Sequence, residues 1–411
     1  MEKGKKQKCV IYVGDFDLRN QNVQAHLVRN NAKILNRLGY RVAFIGVNRT
    51  ATDEEIQEFP ILDLGDGNLY LELENTLTTK GILKYASTAK RIIAFLNETA
   101  KISDVGYVVS YQAPTYAIII KKIALWCKQN RIKYVVNSAD IPVLTSQPLI
   151  RRAVMTWNWN YLHKVNKRYA DGIIAVSRYI ERFYHKDGVP SVIIPPLFDD
   201  YMDADYQLSD IPTFVYAGIP FVLSKNIKTE GMKDRLDIII DLCLQLSAND
   251  VKYRLVVIGI SKDYYTTCIP RHQSALSDNK DILFMGRYSH EETMKAVKNA
   301  DYMINYRDIN IMNEAGLSTK LVESVSLGTP VVMNSVGDTF LYLKEGVTGF
   351  KLYGDQDRDI EVLKSLCSNT VEERKALKNQ CAGDRTFALD KYATKLNDFL
   401  GAVLSNRNYR G

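Results

Sequence analysis

Nothing in this sequence groups its cysteines or its histidines. The six cysteines (Cys9, Cys127, Cys243, Cys268, Cys367 and Cys381) are widely scattered and form no CxxC pair. Neither a zinc site nor a disulfide framework is indicated, and a reducing compartment fits best. The five histidines (His26, His163, His185, His272 and His290) are dispersed without metal-ligand spacing, so no metal is expected. There is no Ser-His-Asp arrangement and no carboxylate pair of the hydrolase kind. Long hydrophobic runs are missing too. The N-terminus is basic (Lys3, Lys5, Lys6, Lys8), but the apolar run behind it, Cys9 to Val13, is far too short for a signal peptide. The longest charge-free stretch, Val105 to Ile120, contains Gln112, Pro114 and three tyrosines, too short and too polar to span a bilayer. These absences point to the cytoplasm. No internal repeat or low-complexity segment occurs.

What is present is the composition of an ordinary soluble globular protein, with 46% hydrophobic and 25% charged residues. A length of 411 residues suggests two domains or more. Strand and helix patterns alternate, which predicts a parallel α/β architecture. Cys9–Val13 reads as a buried strand ending at Gly14. A helix follows over Val23 to Leu38, closed by Gly39, and Arg41–Gly46 is the next strand. Tyr107–Ser110, Ile119–Gln129, Tyr134–Val136, Gly172–Val176 and Val192–Ile194 continue the series as strands and one helix, until Pro195 and Pro196 stop it. The acidic, irregular stretch Asp199 to Asp210 reads as a linker. A second series runs through Thr213–Ala217, Asp237–Leu246, Tyr253–Ile258, Ile282–Met285, His290–Asn299 and Tyr302–Asn305. An amphipathic helix over about Phe387 to Leu404 closes the chain.

The most informative segment is Asn313 to Asn334, NEAGLSTKLVESVSLGTPVVMN. Gly316, Ser318 and Thr319 open a short helix whose apolar side is Leu321, Val322 and Val325. Gly328 ends it, and Pro330 starts a buried strand, Val331-Val332-Met333. A helix N-terminus fronted by glycine offers free backbone N–H groups to an anion, a natural phosphate seat. Glu323, in the first turn or so, could accept hydrogen bonds from a sugar diol. Diphosphate plus ribose is the signature of a nucleotide. The plainer reading makes Gly316 a loop residue and lets Glu323 complement the helix dipole.

In an open α/β sheet, ligands bind where the strands end, so the loops after them carry the remaining candidates. After Thr213–Ala217 come Gly218 and a loop with Lys225, Lys228, Lys233 and Arg235. Fixed cations there could stabilise the charge that develops on a departing phosphate by several kcal/mol, although a solvated lysine-rich face has the same composition. Gly259 ends Arg254–Ile258, and Gly286-Arg287 follow Ile282–Met285. Arg307, after Tyr302–Asn305, suits a bidentate grip on phosphate.

The stretch Ser318 to Val332 resembles the nucleotide-sugar signature of retaining glycosyltransferases, in particular glycosyltransferase family 4. The resemblance implies a GT-B fold, two Rossmann-like domains facing each other across a cleft. Residues 1–200 would form the acceptor domain and residues 211–386 the donor domain. A helix over 387–411 would return to the first. Many members carry two glutamates separated by seven residues; here Ala315 stands at the first position and Glu314 is one early. Arg307, Asn313 and Lys320 instead fit a variant with an Arg, an Asn and a Thr-Lys-Leu run before one glutamate. By resemblance, Glu323 holds the ribose hydroxyls and the Gly316, Leu317, Ser318 and Thr319 segment the diphosphate. Lys233 is the phosphate-binding lysine, Arg235 its partner, and Arg307 meets the phosphate or sugar. The arginine expected directly after Gly218 is replaced by Ile219 and Pro220. The resemblance also sets the loop around Phe284–Tyr288, with Gly286 and Arg287, against the nucleobase, although Arg287 equally reads as an exposed loop arginine. In the first domain, Gly14-Asp15-Phe16 and the stretch Arg19 to Gln24 approach both substrates. Asp140 stands where many members have a histidine touching the donor sugar, and it equally reads as a surface helix-capping aspartate. Ser177-Arg178 match an Ala-Val-Ser turn, whose hydroxyl also suits a helix cap.

One electrostatic feature stands outside these motifs. Between Lys121 and Ala170 there are ten Lys or Arg and one acid, Asp140, a balance of +9 against +7 for the whole chain. Within 151–168, Arg151 and Arg152 precede Trp157, Trp159, Tyr161, His163, Lys164, Lys167 and Arg168. Cations interleaved with aromatics suit the edge of an anionic bilayer, which would make the protein peripheral at the inner face of the cell membrane. They equally suit a solvated helical face with tryptophans in the core. No nucleic-acid motif accompanies them.

The resemblance therefore implies transfer of a sugar from a nucleotide sugar, UDP-sugars being commonest, to a glycan acceptor, lipid-linked if the basic stretch docks on membrane. Retention of configuration is expected, with no metal or cofactor, the leaving phosphate itself taking the acceptor proton. The alternatives are another GT-B enzyme, an epimerase or phosphorylase, and a catalytically silent GT-B subunit that stabilises an active partner.

Overall fold

The computed structural model describes residues 6–19, 23–47, 62–63, 68–73, 85–111, 117–141, 149–198, 206–221 and 232–406. The chain divides into two compact units, residues 1–197 with 389–411, and residues 198–388. Of the expected linker Asp199 to Asp210, residues 199–205 lie outside the described residues.

Unit 1 holds a sheet of eight strands: β1 (Lys8–Gly14), β2 (Arg41–Val47), β3 (Leu62–Asp63), β4 (Leu69–Leu73), β5 (Asp104–Tyr111), β6 (Lys133–Ser138), β7 (Gly172–Ala175) and β8 (Ser191–Ile193). Their order is β3-β4-β2-β1-β5-β6-β7-β8. Every pairing is parallel except β3 with β4. The core strands are runs of Val, Ile and Tyr buried on both faces, as a sheet covered by helices requires. The helix Asp390–Ser405 belongs to this unit. Tyr107 donates its hydroxyl to the carbonyl of Leu400 at 2.9 Å. Gly172 leaves room for Phe399 and Val403, which would lie 2.7 and 2.6 Å from a Cβ at that position.

Unit 2 holds six parallel strands: β9 (Thr213–Ala217), β10 (Arg254–Ile258), β11 (Ile282–Gly286), β12 (Tyr302–Asn305), β13 (Val331–Asn334) and β14 (Gly349–Leu352). The order is β11-β10-β9-β12-β13-β14. Side chains alternate between faces along each strand. Phe214, Tyr216, Tyr302, Ile304 and Val332 fill one apolar cluster, and Val215, Met303, Val331 and Met333 fill the other. The chain runs outward from β9 in one direction through β10 and β11, then returns to the other side of β9 with β12. The junction of β9 and β12 is thus the topological switch point, where a doubly wound sheet leaves a crevice outside its carboxyl edge.

Candidate functional site

The carboxyl ends at that switch point gather the charged residues of the signature. Asp234, fully buried, is the centre. Its Oδ1 accepts from Arg307 Nε at 2.8 Å, and its Oδ2 from Lys320 Nζ at 2.6 Å and from the Tyr216 hydroxyl at 3.1 Å. Burial works against its ionised form, but the two cations and their hydrogen bonds win and hold its carboxyl well below the usual carboxylate range. The trio of Asp234, Arg307 and Lys320 therefore carries a net +1 at neutral pH. Arg307 is itself nearly buried, and its backbone is tied to β13: its N–H donates to Asn334 Oδ1 at 2.9 Å and its carbonyl accepts from Asn334 Nδ2 at 2.7 Å.

Two glycines make room for this arrangement. Gly218, directly after β9, has φ +144°, and a Cβ there would lie 2.7 Å from both Cε and Nζ of Lys320. Only glycine permits both that backbone and that lysine path. Gly259, after β10, has φ +112° and would carry a Cβ 2.3 Å from the Gly218 carbonyl oxygen. The loop after Gly218 returns through an antiparallel bridge between Phe221 and Met232, which delivers Lys233 and Asp234 to the crevice. Lys225, Lys228 and Gly231 lie outside the described residues.

The signature helix runs from Thr319 to Ser326. Glu323 is its fifth residue and so sits in the second turn, one turn later than the sequence suggested. It is half-buried, and burial raises its carboxyl to about 7, partly offset by Lys320 one turn earlier. Ser318 occupies the N-cap position without making a side-chain capping bond. Gly316 is not part of an open amide cradle, because its N–H donates to Met312 at 3.3 Å and closes the short helix Ile311–Ala315. Leu317 is buried among the apolar residues beneath the helix. Asn313 is also buried; its Nδ2 donates to the Asp308 carbonyl at 2.9 Å, while its Oδ1 has no partner. The same holds for Oδ1 of Asn305, the last residue of β12. Neither of these two buried carbonyl oxygens has a donor among the described residues.

Arg235, expected as a second phosphate-binding cation, is held by two acids of its own unit. Its Nε and Nη2 each donate to Asp237 at 2.9 Å, and its Nη1 to Asp308 at 2.9 Å, so the guanidinium braces the start of the helix Leu236–Ala248. Lys233 is exposed, its N–H donating to the Pro220 carbonyl at 3.1 Å. Gly286 ends β11 at φ +68° with open space where a Cβ would be, and Arg287 beyond it is exposed. A cavity of about 710 Å³ opens at the carboxyl ends of β12, β13 and β14, lined by Tyr306, Arg307, Asp308, Asn334, Lys351 and Tyr353 among others. It shares Arg307 with the switch-point cluster but not Gly218, Lys320 or Glu323.

In unit 1 the corresponding switch point lies between β1 and β5. Gly14 ends β1 there, and its glycine has a packing cause: a Cβ would come within 2.2 Å of the Tyr111 carbonyl oxygen. Asp140, exposed just beyond β6, and Asp15 both act electrostatically on the buried Tyr111 hydroxyl. Ser177 accepts from the Ile180 N–H at 3.2 Å and caps the helix Arg178–Tyr184. In the stretch Arg19 to Gln24, residues 20–22 lie outside the described residues. No cluster of three or more potential metal ligands occurs among the described residues.

Sequence reasoning missed Asp234, Tyr216 and Asn305. Asp234 stood in view within Gly231–Asp237, but its partners lie 73 and 86 positions away.

Residues 221–369 match the family model described as glycosyl transferases group 1. No curated protein matches the chain. Among solved structures, a glycosyltransferase from Rickettsia africae superposes with a TM-score of 0.64 at 14% identity, covering 98% of this chain and 99% of the other. Sucrose-phosphate synthase from Thermosynechococcus elongatus gives 0.63 at 13%, covering 95% and 98%. HepE from Anabaena, in complex with UDP and glucose, gives 0.60 at 12%, covering 96% and 100%. The chain has the GT-B fold.

Proposed function

We propose that the protein transfers a sugar from a nucleotide sugar, a UDP-sugar by preference, to a glycan acceptor, with retention of configuration at the anomeric carbon. The observation that carries this reading is the cluster at the unit 2 switch point. Two cations, Lys320 and Arg307, are fixed on a buried carboxylate, and the half-buried Glu323 stands one turn beyond Lys320 on the same helix. The match over residues 221–369 and a structural relative solved with UDP and glucose support it.

In this reading the diphosphate lies against Lys320 and Arg307, with exposed Lys233 reaching it from the loop. Charge that builds on the leaving phosphate meets cations already held in place, so no reorganisation is needed at the moment of bond breaking. Glu323 accepts hydrogen bonds from the ribose hydroxyls, and the exposed turn at Gly286-Arg287 offers its edge to the base. The leaving phosphate takes the acceptor proton, and no metal takes part. The acceptor is assigned to the carboxyl edge of the unit 1 sheet, near Asp15 and Asp140, and the reaction to the cytoplasm.

The test is incubation with UDP-sugars and a lipid-linked glycan primer, with the product anomer read by NMR. Transfer with retained configuration, abolished in Lys320→Met, supports the reading. Release of nucleotide with inverted product would overturn retention, and no turnover with any nucleotide sugar would overturn the activity.

A further inference from the structure

The helix Leu149–Tyr169 contains no acid and five strongly basic residues, Arg151, Arg152, Lys164, Lys167 and Arg168. Its buried residues, Leu162, Val165 and Asn166, all belong to its second half. From Leu149 to Val154 every residue is exposed. Four large apolar side chains are among the residues left in water: Leu149 is 83% exposed, Ile150 84%, Val154 54% and Trp157 56%. Spacings of one, four, five and eight put Ile150, Ala153, Val154 and Trp157 on the same side as Leu149. Continued toward the C-terminus, that side becomes Lys164, Lys167 and Arg168. Trp157 stacks on Tyr161 at 5.5 Å and 3°, and Lys121 from the neighbouring helix sits 5.7 Å over the Tyr161 ring. Trp159 and Tyr161, by contrast with Trp157, are partly buried and pack against the core.

We propose that this stripe docks the protein on an anionic bilayer. The tip around Leu149, Ile150, Val154 and Trp157 enters the boundary between headgroups and acyl chains, and the surrounding cations meet lipid phosphates. An apolar stripe rimmed by charge of one sign is what an interfacial helix presents. The exposed Trp157 is a residue type found at headgroup depth. A second copy of this chain is disfavoured as the occupant, because it would bring like charges together around a shared apolar contact. Nucleic acid would engage the cations and leave leucine and isoleucine in water. The docking deepens the proposed transfer by assigning the acceptor to the lipid surface. This assignment of the acceptor rests on the proposed transfer, whereas the docking does not.

The experiment is flotation of the full chain with vesicles of phosphatidylcholine alone and of phosphatidylcholine with phosphatidylglycerol. Binding is expected to the anionic vesicles only, falling as salt rises. A double variant Arg151→Glu/Arg152→Glu should weaken it at least about tenfold, since each cation near such a surface contributes about fivefold. Ile150→Ser/Trp157→Ser should also weaken it at least about tenfold. Both pairs are exposed or nearly so, and an unchanged thermal transition shows that the fold is intact. Absence of binding by the wild type, or equal binding by either variant, overturns the docking. So does a stripe variant that changes the oligomeric mass in solution but not vesicle binding. A chain that floats yet binds no nucleotide retains the docking and overturns the transfer reading, which keeps the two failures apart.

Discussion

Lys320 Nζ lies 2.6 Å from Asp234 Oδ2, and its path past Gly218 is one that only a glycine leaves open. The lysine also passes 5.5 Å over the Tyr216 ring, whose hydroxyl bonds the same carboxylate. A flexible side chain is thereby fixed by an acid, an aromatic face and a missing Cβ. Its charge is set in place before any ligand arrives, which is what preorganised stabilisation of a leaving group requires.

Removing the acid is therefore expected to damage both stability and function. Asp234→Ala leaves Arg307 buried without its partner, and unit 2 should lose about 3–5 kcal/mol in urea titrations. Asp234→Asn keeps the shape and should cost less, while raising KM for the nucleotide sugar as the cations lose their anchor. The pH dependence follows from the lowered carboxyl of Asp234. Its contribution is present above the unfolded carboxylate range, about 4, and fades as pH falls below it. Wild type should lose stability below about pH 4 more steeply than Asp234→Asn.

Gly218→Ala should fail for two reasons acting together. The backbone at φ +144° disfavours any Cβ, and the new methyl would displace Lys320. A stability loss of about 1–3 kcal/mol is expected from the backbone alone. A loss of nucleotide affinity beyond that seen for Gly39→Ala, a positive-φ glycine with open space around it, would trace the effect to the lysine.

Glu323 should behave in the opposite sense to Asp234. Its carboxyl is raised by burial to about 7. A raised acid contributes stability fully below its unfolded value of about 4.5, and that contribution is lost as pH rises through 7. Glu323→Gln should remove that decline, a difference on the order of 1 kcal/mol between pH 5 and pH 8, since the half-buried group is partly screened. If the ionised form holds the ribose, nucleotide affinity should rise through pH 7 in wild type and stay flat in the variant.

A contrasting site tests whether stability and binding separate. Asp301 Oδ2 accepts from the Thr213 N–H at 2.7 Å and pairs with buried Arg374 at 2.7 Å, at the opposite edge of the sheet from the crevice. Asp301→Ala should destabilise unit 2 by about 3–5 kcal/mol. Under conditions where it remains folded, nucleotide affinity should match wild type in calorimetry.

Much of this was legible in the sequence because the signals were local. Strands such as Ile11 to Val13 and Val331 to Met333 announce themselves as β-branched or apolar runs closed by glycine or proline. The turn Gly328, at φ +72°, ends the signature helix as read. β4 was not seen: its run LYLEL carries Glu72, a charge in an apolar pattern, which is buried and accepts from Arg19 at 2.7 Å. The roles of Asp234 and Arg235 were hidden for the same physical reason. Lys233, Asp234 and Arg235 are three successive polar residues in sequence. Tertiary contacts leave the first exposed, bury the second between two cations, and spend the third on Asp237 and Asp308. The exposed apolar stripe was only half legible, since sequence shows the cations but not that Leu149 and Ile150 stay in water.

The most direct measurement of the central claim is calorimetric titration of the full chain with UDP, GDP, CDP and ADP, repeated on Glu323→Ala and Lys320→Met. The account predicts one-to-one binding that favours one nucleotide, UDP, and weakens at least about tenfold in each variant, the loss expected when a hydrogen bond to a charged group is removed. Silence across the panel, or an affinity unchanged in both variants, would contradict it.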